Sequence, residues 1–421
     1  MTDKQKKNIV IFFAAIAAVN LAAGFSDGPF INNYFNDAFH VSTETRGLIE
    51  FPRELPGVIV FFLISAVSFL GDITLAVVAQ GLAILGLTVL GFLSPTFSVM
   101  LVFLSVNSLG IHLYMPLRDS IGISLAEPDK LGKRMGQFAG TSFAFVMVSG
   151  LASFLLFHFD VFSFTSKTKW TFVVSAFFYL VAMVLFISLR RNVGEVRRPR
   201  EKVRLLYRRE YKFYYIIAIV FGVQKQVMLV FGPWVLITTL GLQADTMILL
   251  TIIASMLGMF FMPLLGKWID RFGVKKLLYA DAFSFIAVYI CYGLLSHFFN
   301  TGLLVKVGIP VILTCSLFII DRLSSQMGII RTVYLKSIAI SPADVTPTLS
   351  LAMMMDHVVS IMVGVLGGLI WGAIGSQYIF YAVAALSLVN LYVAIKVKEP
   401  RNHTHISTEE VLSLESEEAN S

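Results

Sequence analysis

The polar positions of this 421-residue chain gather into short clusters, and between them run twelve apolar segments. They lie at roughly 9–36, 47–70, 73–93, 97–122, 136–158, 170–190, 213–240, 247–265, 277–298, 303–330, 346–371 and 376–396. Each is near or above the roughly 20 residues an α-helix needs to cross about 30 Å of hydrocarbon. The longer ones allow tilt or extension past the bilayer. One long polar break, residues 191–212, rich in arginine and lysine, parts six segments from six. Such a run reads as a solvated linker held at an anionic membrane surface.

The two sets of six resemble one another. Gly28, Pro29 and Phe30 in span 1 match Gly232, Pro233 and Trp234 in span 7, an offset of 204 that lays Asn20 over Gln224. Asp72 after span 2 matches Asp270 after span 8, and Arg118, Pro128 and Gly150 match Arg331, Pro342 and Gly364 at offsets of 213 or 214. Parallel repeats of this kind imply two bundles about a pseudo-two-fold axis along the membrane normal, with a site between them near the midplane. The expected fold is therefore an all-α polytopic membrane protein, twelve transmembrane helices in two pseudo-symmetric six-helix bundles. The expected divisions are residues 1–190 for the first bundle, 191–212 for a basic linker, 213–398 for the second bundle and 399–421 for an acidic tail.

Composition agrees: 57% of residues are hydrophobic and only 14% charged, where a soluble domain carries about 25% charged residues. With the N-terminus inside, 24 lysines and arginines fall in cytoplasmic segments, 4 outside (Arg46, Lys167, Lys169 and Lys306) and 5 within spans. This asymmetry places both termini in the cytoplasm. It also accounts for the net charge of +7 without nucleic acid. The first apolar run is too long for a signal-peptide core and reads as a retained span. Cys291 and Cys315 both lie within spans, which excludes a disulfide framework, and neither has metal-ligand spacing. No spacing of a metalloprotease helix, nucleophile elbow or phosphate loop is present, so no enzyme, metal or cofactor is expected.

The informative polar residues are those deep in the apolar segments. A charge at the bilayer centre costs about 2.5–3.5 kcal/mol on insertion scales and normally faces a protein interior or water. Ionisable residues fall deep only in spans 1, 2, 4, 7, 10 and 11, which predicts a polar path through the bundle. Asp27 in span 1 reads as a buried carboxylate able to bind a proton reversibly. Glu50, Arg53 and Glu54 share one face of span 2 by their spacing. Glu54, the deepest, is the proton-carrier candidate, with Glu50 and Arg53 in a gate-side ion network. Lys225, between Gln224 and Gln226 in span 7, needs a partner, and Asp27, Asp356 or an anionic substrate group would serve. Asp356 and His357 adjoin in span 11. His112, Arg118 and Asp119 lie in span 4, and Asp321, Arg322 and Arg331 in span 10. Helix neighbours point about 100° apart, so Arg118 with Asp119 and Asp321 with Arg322 are expected to pair across helices instead. Arg118 and Arg331 read as gate or anchor residues, and Arg322 as a solute ligand or ion-pair partner.

Between spans 8 and 9 the chain reads Gly266, Lys267, Trp268, Ile269, Asp270, Arg271, Phe272, Gly273, Val274, Lys275, Lys276. A glycine, an acid followed by arginine, a second glycine and a basic end at this junction of a 6+6 repeat resemble the cytoplasmic loop motif of the major facilitator superfamily. The resemblance covers nearly the whole chain. It implies a two-bundle transporter working by alternating access, with spans 1, 4, 7 and 10 lining the cavity. It also implies that Asp270 and Arg271 make cytoplasmic contacts stabilising the outward-facing state. The equivalent loop after span 2 keeps Asp72 but lacks the arginine and basic end. Span 5 lacks the Gly-Pro motif of the superfamily's drug–proton antiporters.

The expectation from sequence is a secondary active transporter in a cytoplasmic (inner) membrane, moving a small polar or charged organic solute with protons as coupling ions. Its partners would be that solute and the lipid bilayer, with no nucleic acid, and the chain would be a monomer. Candidate solute or coupling residues are Asn20, Asp27, Glu54, His112, Gln224, Lys225, Arg322 and Asp356. Candidate gate residues are Glu50, Arg53, Arg118, Asp119, Asp270, Arg271 and Arg331. Efflux of amphipathic drugs and a non-pumping lipid-moving or sensing protein are the alternatives.

Overall fold

The computed structural model describes residues 3–28, 30–93, 96–126, 131–194, 207–341 and 344–397. The acidic tail and most of the basic linker lie outside these described residues. The regular elements are all helical: α1 (Asp3–Ser26), α2 (Ile31–Phe39), α3 (Thr43–Leu48), α4 (Glu50–Ala66), α5 (Asp72–Phe92), α6 (Phe97–Leu125) and α7 (Leu131–His158). The remainder are α8 (Trp170–Val193), α9 (Lys212–Trp234), α10 (Ala244–Asn300), α11 (Ile309–Gln326), α12 (Ile329–Ile338), α13 (Val345–Ile374) and α14 (Ser376–Lys396). Ten helical stretches are long and apolar enough to cross a membrane. One of them, α10, is two spans in a 57-residue run. The 17-residue α4 continues α3 as the second span, which brings the described spans to twelve. Bulky apolar side chains such as Phe62, Phe143 and Phe260 point outward, as expected of a surface dissolved in lipid.

The helix breaks have local causes. Span 1 does not run unbroken to residue 36 as its apolarity predicts, because Gly28 takes φ 126° and parts α1 from α2. Its repeat mate Gly232 stays helical, and after Pro233, which has no N–H to donate, the chain widens into a π-helical turn over Val235–Thr239. Spans 8 and 9 meet at Gly273, with φ 80° and ψ 162°, a region that essentially only glycine occupies. Gly71, just before α5, has nearly the same geometry at φ 77° and ψ 156°. The conformational counterpart of the motif's second glycine is therefore Gly71. The match of Asp72 to Asp270 is out of register: Asp72 is buried in the first turn of α5 and accepts from Ser120, whereas Asp270 is exposed.

Packing follows the two halves. In the first, α1 packs on α7 and α8, α5 on α6 and α8, and α4 on α6. In the second, α10 packs on α11 and α14, while α9 packs on α13 and α14. Part of the linker is fixed rather than solvated: Tyr211 is buried and donates to Asp344 at 2.7 Å, and Arg208 lies 3.1 Å from the same carboxylate. The main contacts between halves join α13 to α3 and α4, α2 to α9, and α10 to α7. Three glycines on α13, Gly364, Gly368 and Gly372, let it lie against Gly47, Thr43 and Glu44 so closely that an added Cβ would overlap the opposing atoms. Since successive spans alternate in direction, this seam lies on the side of the bundle away from α1's start and α14's end.

Candidate functional site

Where the halves meet, α4 faces α9 and α13 with a ladder of charged side chains. At its top Glu50 is fully buried and accepts from Arg46 Nη1 at 2.7 Å, Arg53 Nη1 at 3.0 Å and, across the halves, Gln226 Nε2 at 2.7 Å. Arg46 was expected in an outer loop. Instead α3 carries it into the core, where its Nε donates to Asn32 at 2.6 Å and its guanidinium lies 5.2 Å from the Phe35 ring. The i,i+4 spacing of Arg46 and Glu50 was the available signal for this pair.

One turn further in, Glu54 meets His357 of α13, with Oε2 2.8 Å from Nδ1. The His357 ring stands 4.9 Å from that of His112 on α6, and His112 Nδ1 lies 2.9 Å from the Ser108 carbonyl. Beside this triad Lys225 of α9 forms an ion pair with Asp356 of α13. Gly222 makes the pair possible, since a Cβ there would come within 2.8 Å of the Asp356 carboxylate. Of the partners open to Lys225, Asp356 is the one observed. The adjacent Asp356 and His357 therefore serve different helices, one within the second half and one across to the first.

Other candidates lie elsewhere. Asp27 is not buried: its side chain is 53% exposed at the break after α1, accepts from Gly28 N at 2.9 Å and lies 4.0 Å from Arg53. The break at Gly28 turns it out of the helix packing. Asn20 faces α7, donating to Ile16 O at 2.7 Å and Ser142 Oγ at 3.1 Å. Gln224 is buried against α14, donating to Ser387 Oγ at 2.7 Å and accepting from Asn390 at 3.3 Å. Both were placed by depth alone, which does not fix helix rotation.

The expectation of cross-helix partners fails for Arg118 with Asp119 and holds in part for Asp321 with Arg322. Arg118 Nε donates to Asp119 at 2.9 Å on an exposed surface, where long side chains curl together freely. Arg322 lies 3.7 Å from buried Asp321, donates to Met228 O at 2.6 Å and sits over Phe318. Arg331 does pair across helices, with Asp281 at 2.8 Å, and stacks 3.9 Å over Phe221. Asp270 and Arg271 are exposed, and no ion pair joins either to the first half among the described residues.

Two six-helix halves that meet through charged side chains near mid-span, with a glycine-turned loop after the second helix of each, narrow the choice of family. The profile of the Major Facilitator Superfamily matches residues 11–342. The chain belongs to that superfamily. Among solved structures, a mutant of the nucleoside transporter NupG superposes with a TM-score of 0.73 at 11% identity, covering 92% of this chain and 99% of that one. An auto-inhibited POT family peptide transporter gives 0.73 at 11% identity, with 95% and 99% coverage. A D-xylose-proton symporter gives 0.68 at 18% identity, with 94% and 99% coverage. At such identities the likeness establishes the fold alone. No curated protein matches the chain by sequence. This member of the superfamily is a multi-pass membrane protein with charged side chains in contact across its two halves.

Proposed function

We propose that the chain is a secondary active transporter of a small polar or charged organic solute, working by alternating access and coupled to protons. The observation that carries this reading is the ladder itself. Glu50 to Gln226 and Glu54 to His357 are polar contacts made across the halves, so protonating a carboxylate changes how the halves hold together. Glu54 and Asp356 are the coupling carboxylates in this reading, with Asp27 at the mouth of the ladder. The groups facing them are Arg53, His112, His357 and Lys225. Lys225 and Asp356 keep side-chain exposures of 35% and 27%, which leaves room for a solute to compete for either charge. Arg322 is a second cationic contact. The number of charges between the halves supports a polar solute over an apolar one. The lysine and arginine asymmetry supports a cytoplasmic membrane with both termini inside.

The test is uptake into proteoliposomes under an imposed proton gradient, against a panel of sugars, nucleosides, organic acids, peptides and lipophilic cations. Accumulation of a polar solute, dependent on the gradient and lost with Lys225→Ala, is expected. If Asp27→Asn, Glu54→Gln and Asp356→Asn together left accumulation and its pH dependence intact, proton coupling would be wrong. Movement confined to lipophilic cations or lipids would replace this reading with efflux or lipid handling.

A further inference from the structure

Glu54, His112 and His357 come from three helices, two in the first half and one in the second, and their ligand atoms all lie within 4.8 Å of one another. Their distance in sequence is why no metal-ligand spacing was legible. We propose that they form a transition-metal site of the Zn²⁺ class that bridges the two halves, independently of which solute the protein carries.

The hydrogen bonds orient this set for a cation that would displace one shared proton. His112 Nδ1 faces the Ser108 carbonyl, and a carbonyl only accepts, so that nitrogen carries the proton. The neutral ring then presents Nε2 as a bare lone pair. A backbone carbonyl behind an imidazole is the usual arrangement that orients a histidine for a metal. His357 Nδ1 lies 2.8 Å from Glu54 Oε2, so a cation bound by both atoms takes the place of the proton between them and leaves the ring proton on Nε2. Two imidazoles and one carboxylate are a familiar donor set for Zn²⁺ with a fourth position open, and they disfavour Mg²⁺ and Ca²⁺, which take oxygen ligands. Bonds of about 2.0–2.1 Å place tetrahedral ligand atoms about 3.4 Å apart, so separations of up to 4.8 Å close by at most about 1.4 Å while the 2.8 Å contact of His357 with Glu54 opens slightly.

The surroundings are built for the ring and for the charge. A Cβ on Gly57, one turn beyond Glu54, would lie 2.6 Å from the His357 ring, so only glycine lets that ring reach α4. Arg53 and Arg46 bring two positive charges close by, against the carboxylates of Asp27, Glu50 and Glu54. That local group is one negative charge in excess, and Lys225 is already matched by Asp356. A bound cation therefore meets net negative charge. It would also tie α4 and α6 to α13, holding the halves together at this depth.

The experiment uses the purified full-length protein, stripped of metal. Diethyl pyrocarbonate modification of the wild type is read by mass spectrometry with and without Zn²⁺. Zn²⁺ is expected to protect His112 and His357 but not exposed His40. Co²⁺ titration, followed by ligand-field absorption and competed by Zn²⁺, gives the affinity. His112→Gln, His357→Gln and Glu54→Gln are each expected to weaken it by about 10-fold or more. His158→Gln, which removes a surface histidine paired with Asp245, should leave it unchanged. The footprint decides even where a glutamine variant fails to fold. Absence of protection at His112 and His357, or equal affinity in all variants, would overturn the site.

Discussion

Glu50 compensates two guanidinium groups at once, with Arg46 at 2.7 Å and Arg53 at 3.0 Å, and Glu50 and Arg46 are both wholly buried. Removing the shared carboxylate strands two charges, whereas removing Arg46 leaves Glu50 with Arg53 and Gln226. Glu50→Ala should thus destabilise by about 3–5 kcal/mol and Arg46→Met by less. Thermal midpoints in detergent test that order, and a larger loss in Arg46→Met would contradict it. The Lys225–Asp356 pair is about one-third exposed, so its coupling is weaker. Lys225→Ala, Asp356→Ala and the double variant should give an interaction energy toward the low end of about 0.5–3 kcal/mol, measured in the same melts. Lys225, Asp356 and Glu54 were legible in the sequence because a charge in an apolar run is conspicuous by itself. The true facing of Asn20 and Gln224 was not, because rotation about a helix axis is set by packing and leaves little trace in depth, and Arg46 was signalled only by its i,i+4 spacing to Glu50.

At the scale of the helices, glycine does two separable jobs, and the motif between spans 8 and 9 contains one of each kind of position. Gly273 has φ 80°, while Gly266 sits in open space with ordinary backbone geometry. Gly273→Ala is therefore expected to cost about 1–3 kcal/mol and Gly266→Ala close to nothing, as read from thermal midpoints. Equal losses at the two positions would show that the turn is not where the strain lies. The twelve spans were legible because twenty apolar residues leave little alternative to a spanning helix. The break at Gly28 was missed although Asp27, Gly28 and Pro29 make a turn signal, because the match to Gly232, which remains helical, argued for an unbroken span. The break between the two spans of α10 was legible, because the loop motif puts Gly273 at that junction.

On the scale of the whole molecule, one question is whether the glycine seam between α13 and α3 opens during function. The seam closes one side of the bundle through backbone proximity, with Gly47 against Gly364 and Glu44 filling the space beside Gly372. No comparable set of close glycine contacts joins the halves at the opposite end among the described residues. Under the proposed alternating access this seam would part in every cycle. The geometry allows it to be locked. A Cβ built on Gly372 lies 2.9 Å from Cγ of Glu44, near the separation of a cysteine Cβ from the far sulfur of a disulfide with an S–S bond of about 2.05 Å. In a background carrying Cys291→Ser and Cys315→Ser, the pair Glu44→Cys and Gly372→Cys should oxidise readily in the resting protein. The cross-link should abolish turnover of whichever solute the uptake panel identifies, and reduction should restore it. Each single cysteine variant should be indifferent to oxidant. Full turnover by the cross-linked protein would mean that the seam is a static joint and that the halves move about it elsewhere, with the ladder of Glu50, Glu54 and His357 opening while α3 and α13 stay together.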